Sequence, residues 1–468
     1  VKRLIHFFSL AVVTQIILML GQLILLPIQL RMWGASSTAL WYSAFAVASV
    51  TYFVDCGLRT AGHAELLRGS TLDVLQFRQI WSWIRTLLLA GTFLLICGDF
   101  AAGKLMHAGP YQISRVMQIL ACALESILIV RISYLDSLGK YRGAEASYFS
   151  FAALRLMLSI PALVVFHWQA TGLAAVYLFT SALAVVLQGE LLCKSIPLLH
   201  LTNRFPKLAW SSLALARYTV AEPLANWTRL SLPVLVIAQI ASPVAVTTYV
   251  ALRAIFGAGR TTIQQLARVA SVEALKARAA GESKRADSLL TLFVVAAVFF
   301  GSMLGAAVVT DNGQLIGMWL KKLDHRLFQE IALAFSLTAP FFSYQIAMSL
   351  RVRMGELAYV AHRHYIFISV SLMFAGLSVV AASLPLYLLL LVTAEVTLSV
   401  SFFVPTRAGQ AALQVASGGS LTVALLWLAA HRDLQSLAGS AASLFIVIIL
   451  FGSLLWWIYR PDYLAVAK

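Results

Sequence analysis

Four arginines, Arg155, Arg217, Arg229 and Arg253, fall inside long apolar runs. A charge at the middle of a bilayer costs at least about 2.5–3.5 kcal/mol, so such residues face a cavity or a partner. Along residues 212–237, Thr219, Glu222, Asn226, Arg229 and Pro233 recur at steps of three and four, which sets them on one helical face. Along residues 243–265, Tyr249, Arg253, Gly257, Arg260 and Gln264 do the same. If these runs are antiparallel neighbours, Arg229 and Arg253 lie at similar depth in two polar faces that wall a cavity. A guanidinium suits a phosphate or another oxyanion, because its planar fork donates paired hydrogen bonds and keeps its charge when poorly hydrated. The competing reading is that Arg229 pairs with Glu222 and that the arginines snorkel to an interface, as Arg217 is expected to do.

Gln15, Gln22 and Gln29 stand at intervals of seven on the first apolar run, with Thr14 beside the first. This seam can offer amides to sugar hydroxyls, or it can bond one helix to the next. Tyr52, Asp55 and Arg59 end the second run, where Asp55 and Arg59 are four apart and can form an ion pair or a gate. Glu125 and Arg155 sit at matching depth in consecutive runs, as a buried pair should. Glu395, an acid deep in a later run, is the candidate proton-coupling site. Pro27 and Pro233 are the hinge candidates, with a static kink as the alternative.

Of the 468 residues, 60% are apolar and only 12% charged, and the mean hydropathy is +0.85. No soluble core of this size hides so much apolar surface, and no polar stretch exceeds about 20 residues. The chain reads as a membrane protein without a separate soluble catalytic domain. The net charge of +16 sits in short loops between apolar runs, so it reads as topology and not as nucleic-acid binding. Cys56, Cys97, Cys122 and Cys193 form no CxxC pair, and His362 and His364 share a basic loop with Arg363. Neither group calls for a disulfide framework, a metal or a cofactor. No acid, base and nucleophile constellation stands out, which disfavours a polytopic polymerase or transferase.

The fold class expected is therefore an all-α polytopic membrane protein. A crossing helix needs about 20 apolar residues. Spans fall near 5–30, 38–58, 80–100, 113–135, 146–166, 172–193, 212–237, 243–265, 288–309, 327–350, 364–383, 385–404, 415–430 and 437–459, fourteen in all. With the N-terminus cytoplasmic, 24 of the 35 Lys and Arg lie inside and 7 outside, which also sets the C-terminus inside. The segment LILLPIQLRMWGASSTA ending at Ala39 aligns with RLSLPVLVIAQIASPVA ending at Ala245, an offset of 206 residues that sets Pro27 on Pro233. This echo implies parallel repeats. The expected organisation is a six-helix lobe over 1–200, a cytoplasmic linker over 201–211, a second six-helix lobe over 212–410 and two appended helices over 411–468.

The N-terminal stretch GQLILLPIQLRMWGASSTALWYSAFAVASVTYFVDCGLRTAGHAELLRGS resembles the opening of the Wzx-type polysaccharide flippases of the MOP superfamily. The stretch LSLPVLVIAQIASPVAVTTYVALRAIFGAGRTTIQQLARVASVEALKARAAGE is similar to the start of that family's second lobe. The resemblance implies a MATE-like pair of six-helix lobes in pseudo-twofold arrangement around a central cavity in the bacterial inner membrane. It also implies alternating access that carries an undecaprenyl-diphosphate-linked oligosaccharide outward, with a proton or sodium ion as coupling ion and the polysaccharide polymerase and export machinery as partners. Lipid-II flippases of the superfamily carry arginines on the first helix where this chain carries glutamines. A multidrug or cation exporter of the same superfamily is the alternative, and it would want acids in the cavity.

Overall fold

The computed structural model describes residues 2–58, 74–106, 112–137, 141–195, 210–311, 313–320, 324–353 and 356–403. Among them there is no strand. The helices are α1 (Lys2–Ala48), α2 (Val74–Met106), α3 (Gln112–Ser137), α4 (Tyr141–Val164), α5 (Ala170–Ser195), α6 (Trp210–Thr219), α7 (Ala221–Leu230), α8 (Leu232–Ile240), α9 (Pro243–Ala279), α10 (Ser283–Asp311), α11 (Gln314–Leu320), α12 (His325–Thr338), α13 (Tyr344–Arg353), α14 (Leu357–Ala381) and α15 (Leu384–Phe403). Short 3-10 turns at Ser49–Phe53 and Ala339–Ser343 complete the described elements. Among the described residues, six runs are long and apolar enough to cross a membrane: Trp83–Ala101, Gln112–Val130, Ala170–Leu187, Ser288–Val309, His325–Met348 and Leu357–Ala381. Spans thirteen and fourteen, and the linker up to Ala209, lie outside the described residues.

Two departures from the expected spans have local causes. Spans one and two join as α1, whose helical path is interrupted only at Gly34 (φ 76°). The expected single span at 212–237 is three helices, with joints at Val220 and Ser231. Pro223 and Pro233 explain the joints, since neither can donate to the carbonyl four residues back, Thr219 and Arg229. Pro233 thus lies beside a real joint, whereas Pro27 lies inside unbroken helix and the first repeat bends seven residues later at Gly34. The offset of 206 sets Gly34 on Ile240, next to Ala241, whose extended backbone (φ −138°) separates α8 from α9.

The described residues form two compact units, those of 1–254 with 357–368, and those of 255–356 with 369–403. In the first, α3 packs on α5 and α1 on α4. Their core is built by Leu25, Trp41, Leu163, Ala170, Leu173 and Ala174, flanked by a cluster of Leu128, Phe151 and Ala184. A second layer joins α2 and α3 to α6 through Leu58, Ile84, Leu88, Val130 and Ala216. In the second unit α10 packs on α12 and on the 339–343 turn. Gly301 and Gly305 open that crossing: an added Cβ would overlap the Ala339 carbonyl at Gly301 and would stand 3.0 Å from the Ser336 carbonyl at Gly305. The spacing is a small-xxx-small contact, and Ser336 Oγ donates to the Gly305 carbonyl at 3.1 Å.

The turn after Phe53 pins the first helices to the jointed one. Asp55 Oδ1 accepts from Gly57 N at 3.2 Å, and the Gly57 carbonyl accepts from Thr219 Oγ1 at 2.8 Å. Gly57 has φ 79°, and a Cβ there would lie 2.5 Å from Val220 N. Both the backbone angle and the close approach therefore demand glycine. Gly57→Ala is expected to lower stability by about 2 kcal/mol or more, read as a drop in the unfolding midpoint of the detergent-purified protein. Gly98→Ala, at a helical site with open space around it, should leave that midpoint unchanged or raise it; equal behaviour of the two variants would contradict this packing.

Candidate functional site

A cleft of about 150 Å³ opens within the first unit. Its walls come from both halves of α1 (Ile17 to Gln29 and Trp41 to Phe45), from α4 at Ala152, Arg155 and Leu156, from Tyr177 of α5 and from α9 at Val250, Arg253 and Ala254. The Gly34 bend is what brings two stretches of one helix to the same cavity. Two of the three seam glutamines are there: Gln22 is exposed to the cleft, and Gln29, only 1% exposed, accepts a hydrogen bond from Tyr42 Oη at 3.0 Å. Trp41 meets Tyr177 edge to face at a centroid distance of 5.6 Å.

Arg253 reaches its place through the joint in the neighbouring helix. A helix leaves its last carbonyls without internal donors, and α7 ends at Leu230; the Arg253 Nη1 donates to the Leu230 carbonyl. The joint between α7 and α8 therefore both requires and orients this guanidinium, which has five donors. Arg155 is held more tightly. Its guanidinium carbon lies over the Phe151 ring and over the Tyr177 ring, 4.3 Å from each centroid, an arrangement that attracts a cation to both rings. Its Nε donates to Thr180 Oγ1 at 3.4 Å and its Nη2 to Ser181 Oγ at 2.8 Å. Those hydroxyls spend their own protons on the carbonyls of Val176 and Tyr177, so their lone pairs face the arginine. Its Nη1 pairs with Glu125, whose other oxygen accepts from Tyr52 Oη.

A second cavity, lined by Tyr52, Glu125, Leu128, Ile129, Tyr148 and Phe151, lies on the acid's side of this pair. Glu125 borders one cavity and Arg155 the other. The depth match of Glu125 and Arg155 in the sequence thus corresponds to a real ion pair, while the position of Arg155 in the cleft wall does not follow from it. Trp41, Tyr42 and Tyr177 carry no signal of their place in the sequence, since an aromatic residue in an apolar run bears no mark of the cavity it faces.

The remaining expected site residues are distributed elsewhere. Arg229 does not line this cleft; it is 7% exposed, donates to Asn226 Oδ1 at 3.5 Å and lies over the Phe367 ring at 4.9 Å. Arg229 and Asn226 do share a face, as their spacing requires. Tyr249 is 1% exposed and packs in the core, and Arg260 belongs to the second unit, where its Nη2 donates to Tyr344 Oη at 3.4 Å. The polar stripe from Tyr249 to Gln264 runs about 22 Å along its helix at 1.5 Å per residue, so its members meet different neighbours at different depths. Only Arg253 of that stripe reaches the cleft. Glu222 is half-buried in the first turn of α7. Glu395 is buried in α15 of the second unit, where its carbonyl accepts from Ser399 Oγ at 2.7 Å. Asp55 is buried in the turn that precedes Gly57. Arg59 and the side chain of Gln15 lie outside the described residues.

No protein-family model matches the chain, and no curated protein matches it in sequence. Solved structures do. An inward-facing multidrug resistance MATE family transporter of the MOP superfamily is 12% identical, with a TM-score of 0.56 over 88% of this chain and 95% of its own. The eukaryotic MATE transporter AtDTX14 is 15% identical, with a TM-score of 0.57 over 90% and 99%. The MATE multidrug transporter DinF-BH is 15% identical, with a TM-score of 0.54 over 85% and 94%. Near-complete coverage of both chains at such low identity shows that the fold of this protein is that of the MOP-superfamily MATE transporters.

Proposed function

We propose that the protein is a flippase that carries undecaprenyl-diphosphate-linked oligosaccharide repeat units from the cytoplasmic to the periplasmic leaflet of the bacterial inner membrane. The observation that carries this reading is the charge of the cleft: its described lining contains Arg155 and Arg253 and no carboxylate. Two guanidiniums in the wall of one cleft favour an anionic headgroup and repel a cation. A cation exporter would need the opposite sign, so the multidrug alternative fits this cavity less well. Gln22, Gln29 and Tyr42 add neutral hydrogen-bonding groups next to the cations, which is what a phosphate joined to a sugar requires. The polyprenyl tail stays in lipid, and no covalent step is needed.

In this reading the lobes over 1–200 and 212–410 rock about the joints near Gly34 and Pro233, and the helices over 411–468 are an addition to the transporter core. Both termini are cytoplasmic and the chain crosses fourteen times. Arg229, outside the cleft lining, donates to Asn226 beside Phe367, and Glu222 is the proposed coupling or gating acid of the jointed helix. Glu395 is the proposed proton-coupling site, and the polymerase and export machinery take the product.

Arg253→Ala is expected to reduce polysaccharide export at least tenfold with the protein still present in the membrane, and Arg253→Lys to retain part of it; export at the wild-type level in the alanine variant would sink the role given to Arg253. Glu395→Gln should make export insensitive to collapse of the proton gradient, and an unchanged response would remove that residue from coupling. A reporter that functions only in the cytoplasm, fused after Lys468, should be active, whereas an external signal would mean an odd number of crossings.

A further inference from the structure

The ion pair of Glu125 and Arg155 is more than a buried contact, because each partner borders a different cavity. We infer that Arg155 is an anion-binding position occupied internally by Glu125, and that a phosphate or diphosphate entering the cleft beside Arg253 takes Arg155 in competition with that carboxylate. The inference rests on the cleft being the headgroup site, and it adds a specific regulation of that site. Three features support it. First, Arg155 is fixed by groups other than Glu125, namely the two ring faces and the Thr180 and Ser181 hydroxyls. It therefore stays in the cleft wall when its acid partner is exchanged.

Second, Glu125 has an alternative hold. Tyr52 Oη donates to it from the 49–53 turn, so a carboxylate that loses part of its claim on Arg155 is not left without a hydrogen bond. Third, the guanidinium has five donors, and the described bonds engage one at Nε, one at Nη2 and one at Nη1. Donors remain for a second anion. The charged and titratable groups that face the pair are Tyr52, Cys122 and Tyr177, with Tyr42 and Arg253 next in line along the cleft. None of these is a second carboxylate, so Glu125 is the sole internal competitor among the described neighbours.

The competition has a route into the jointed helix. Tyr52 belongs to the turn whose Ser49 Oγ lies 3.0 Å from Ser231 Oγ, at the joint between α7 and α8, and Trp227 Nε1 donates to the Ala46 carbonyl at 3.0 Å. Ser126, one residue after Glu125, donates to the Thr51 carbonyl at 3.2 Å. An anion that redistributes the load on Glu125 thus acts on the turn that braces the joint carrying the Leu230 carbonyl and Arg253.

The test is calorimetric binding of inorganic pyrophosphate to the purified full chain. Glu125→Gln, which keeps an acceptor for Tyr52 and removes the competing charge, should bind pyrophosphate about tenfold or more tighter than wild type. The gain should vanish in Glu125→Gln with Arg155→Met, and Tyr52→Phe, which leaves Glu125 leaning on Arg155 alone, should weaken binding. Unchanged or weaker binding by Glu125→Gln, or a gain that persists without Arg155, overturns the inference while binding that still depends on Arg253 keeps the headgroup reading. No pyrophosphate binding by wild type overturns both. If Glu125→Gln does not fold, Tyr52→Phe decides: weaker binding supports the competition and unchanged binding overturns it.

Discussion

The first unit is organised around the ion pair of Arg155 with the buried Glu125. Arg155 sits in the middle of an apolar helix and is kept there by two aromatic faces, two hydroxyls and one carboxylate contributed by α3, α4 and α5. Taking a guanidinium out of water costs several kcal/mol even after relaxation, and removing a partner from such a pair typically costs about 3–5 kcal/mol. The three helices therefore cannot slide past one another without breaking contacts of that size. The packing of α3 on α5, and the placing of the Phe151 and Tyr177 rings against one guanidinium, follow from satisfying this residue. So does the sign of the cleft, because the same side chain is part of its wall.

The second determinant is a set of deliberate interruptions in otherwise regular helices. Pro223 and Pro233 break the expected long span into three pieces, Gly34 bends α1, and Gly57 lets the following turn lie against the joint at Val220. Irregular backbone at membrane depth is tolerated only where protein or a cavity satisfies its polar groups. Here Arg253 serves the Leu230 carbonyl and Thr219 serves the Gly57 carbonyl. Two of the interruptions are thus answered by a side chain, and in the case of Arg253 the same side chain faces the cleft.

Much of this is legible in the residues. Apolar runs mark the helices, the matched depth of Glu125 and Arg155 marks their pair, and the seven-residue spacing of Gln22 and Gln29 marks a face that does line the cleft. Periodicity reports which residues share a face, but not what that face meets. Tyr249 and Arg253 share a stripe, yet one is core and the other is cleft. Arg229 carries the same charge as Arg253 but is spent on Asn226 and Phe367. Trp41, Tyr42 and Tyr177 stay hidden because an aromatic residue in a hydrophobic helix looks the same whether it packs or lines a pocket. Asp324 caps α12 by accepting from the Arg326 and Leu327 amides, a role that its place just before an apolar run makes legible.

Transport in proteoliposomes tests most directly whether the cavity takes an anionic lipid headgroup. A labelled undecaprenyl-diphosphate oligosaccharide and a cationic dye would be followed side by side, with and without the purified protein. Protein-dependent appearance of the glycan on the opposite leaflet, without dye movement, is the result the cleft predicts. Dye transport with no movement of the glycan would contradict it and assign the fold here to cation export.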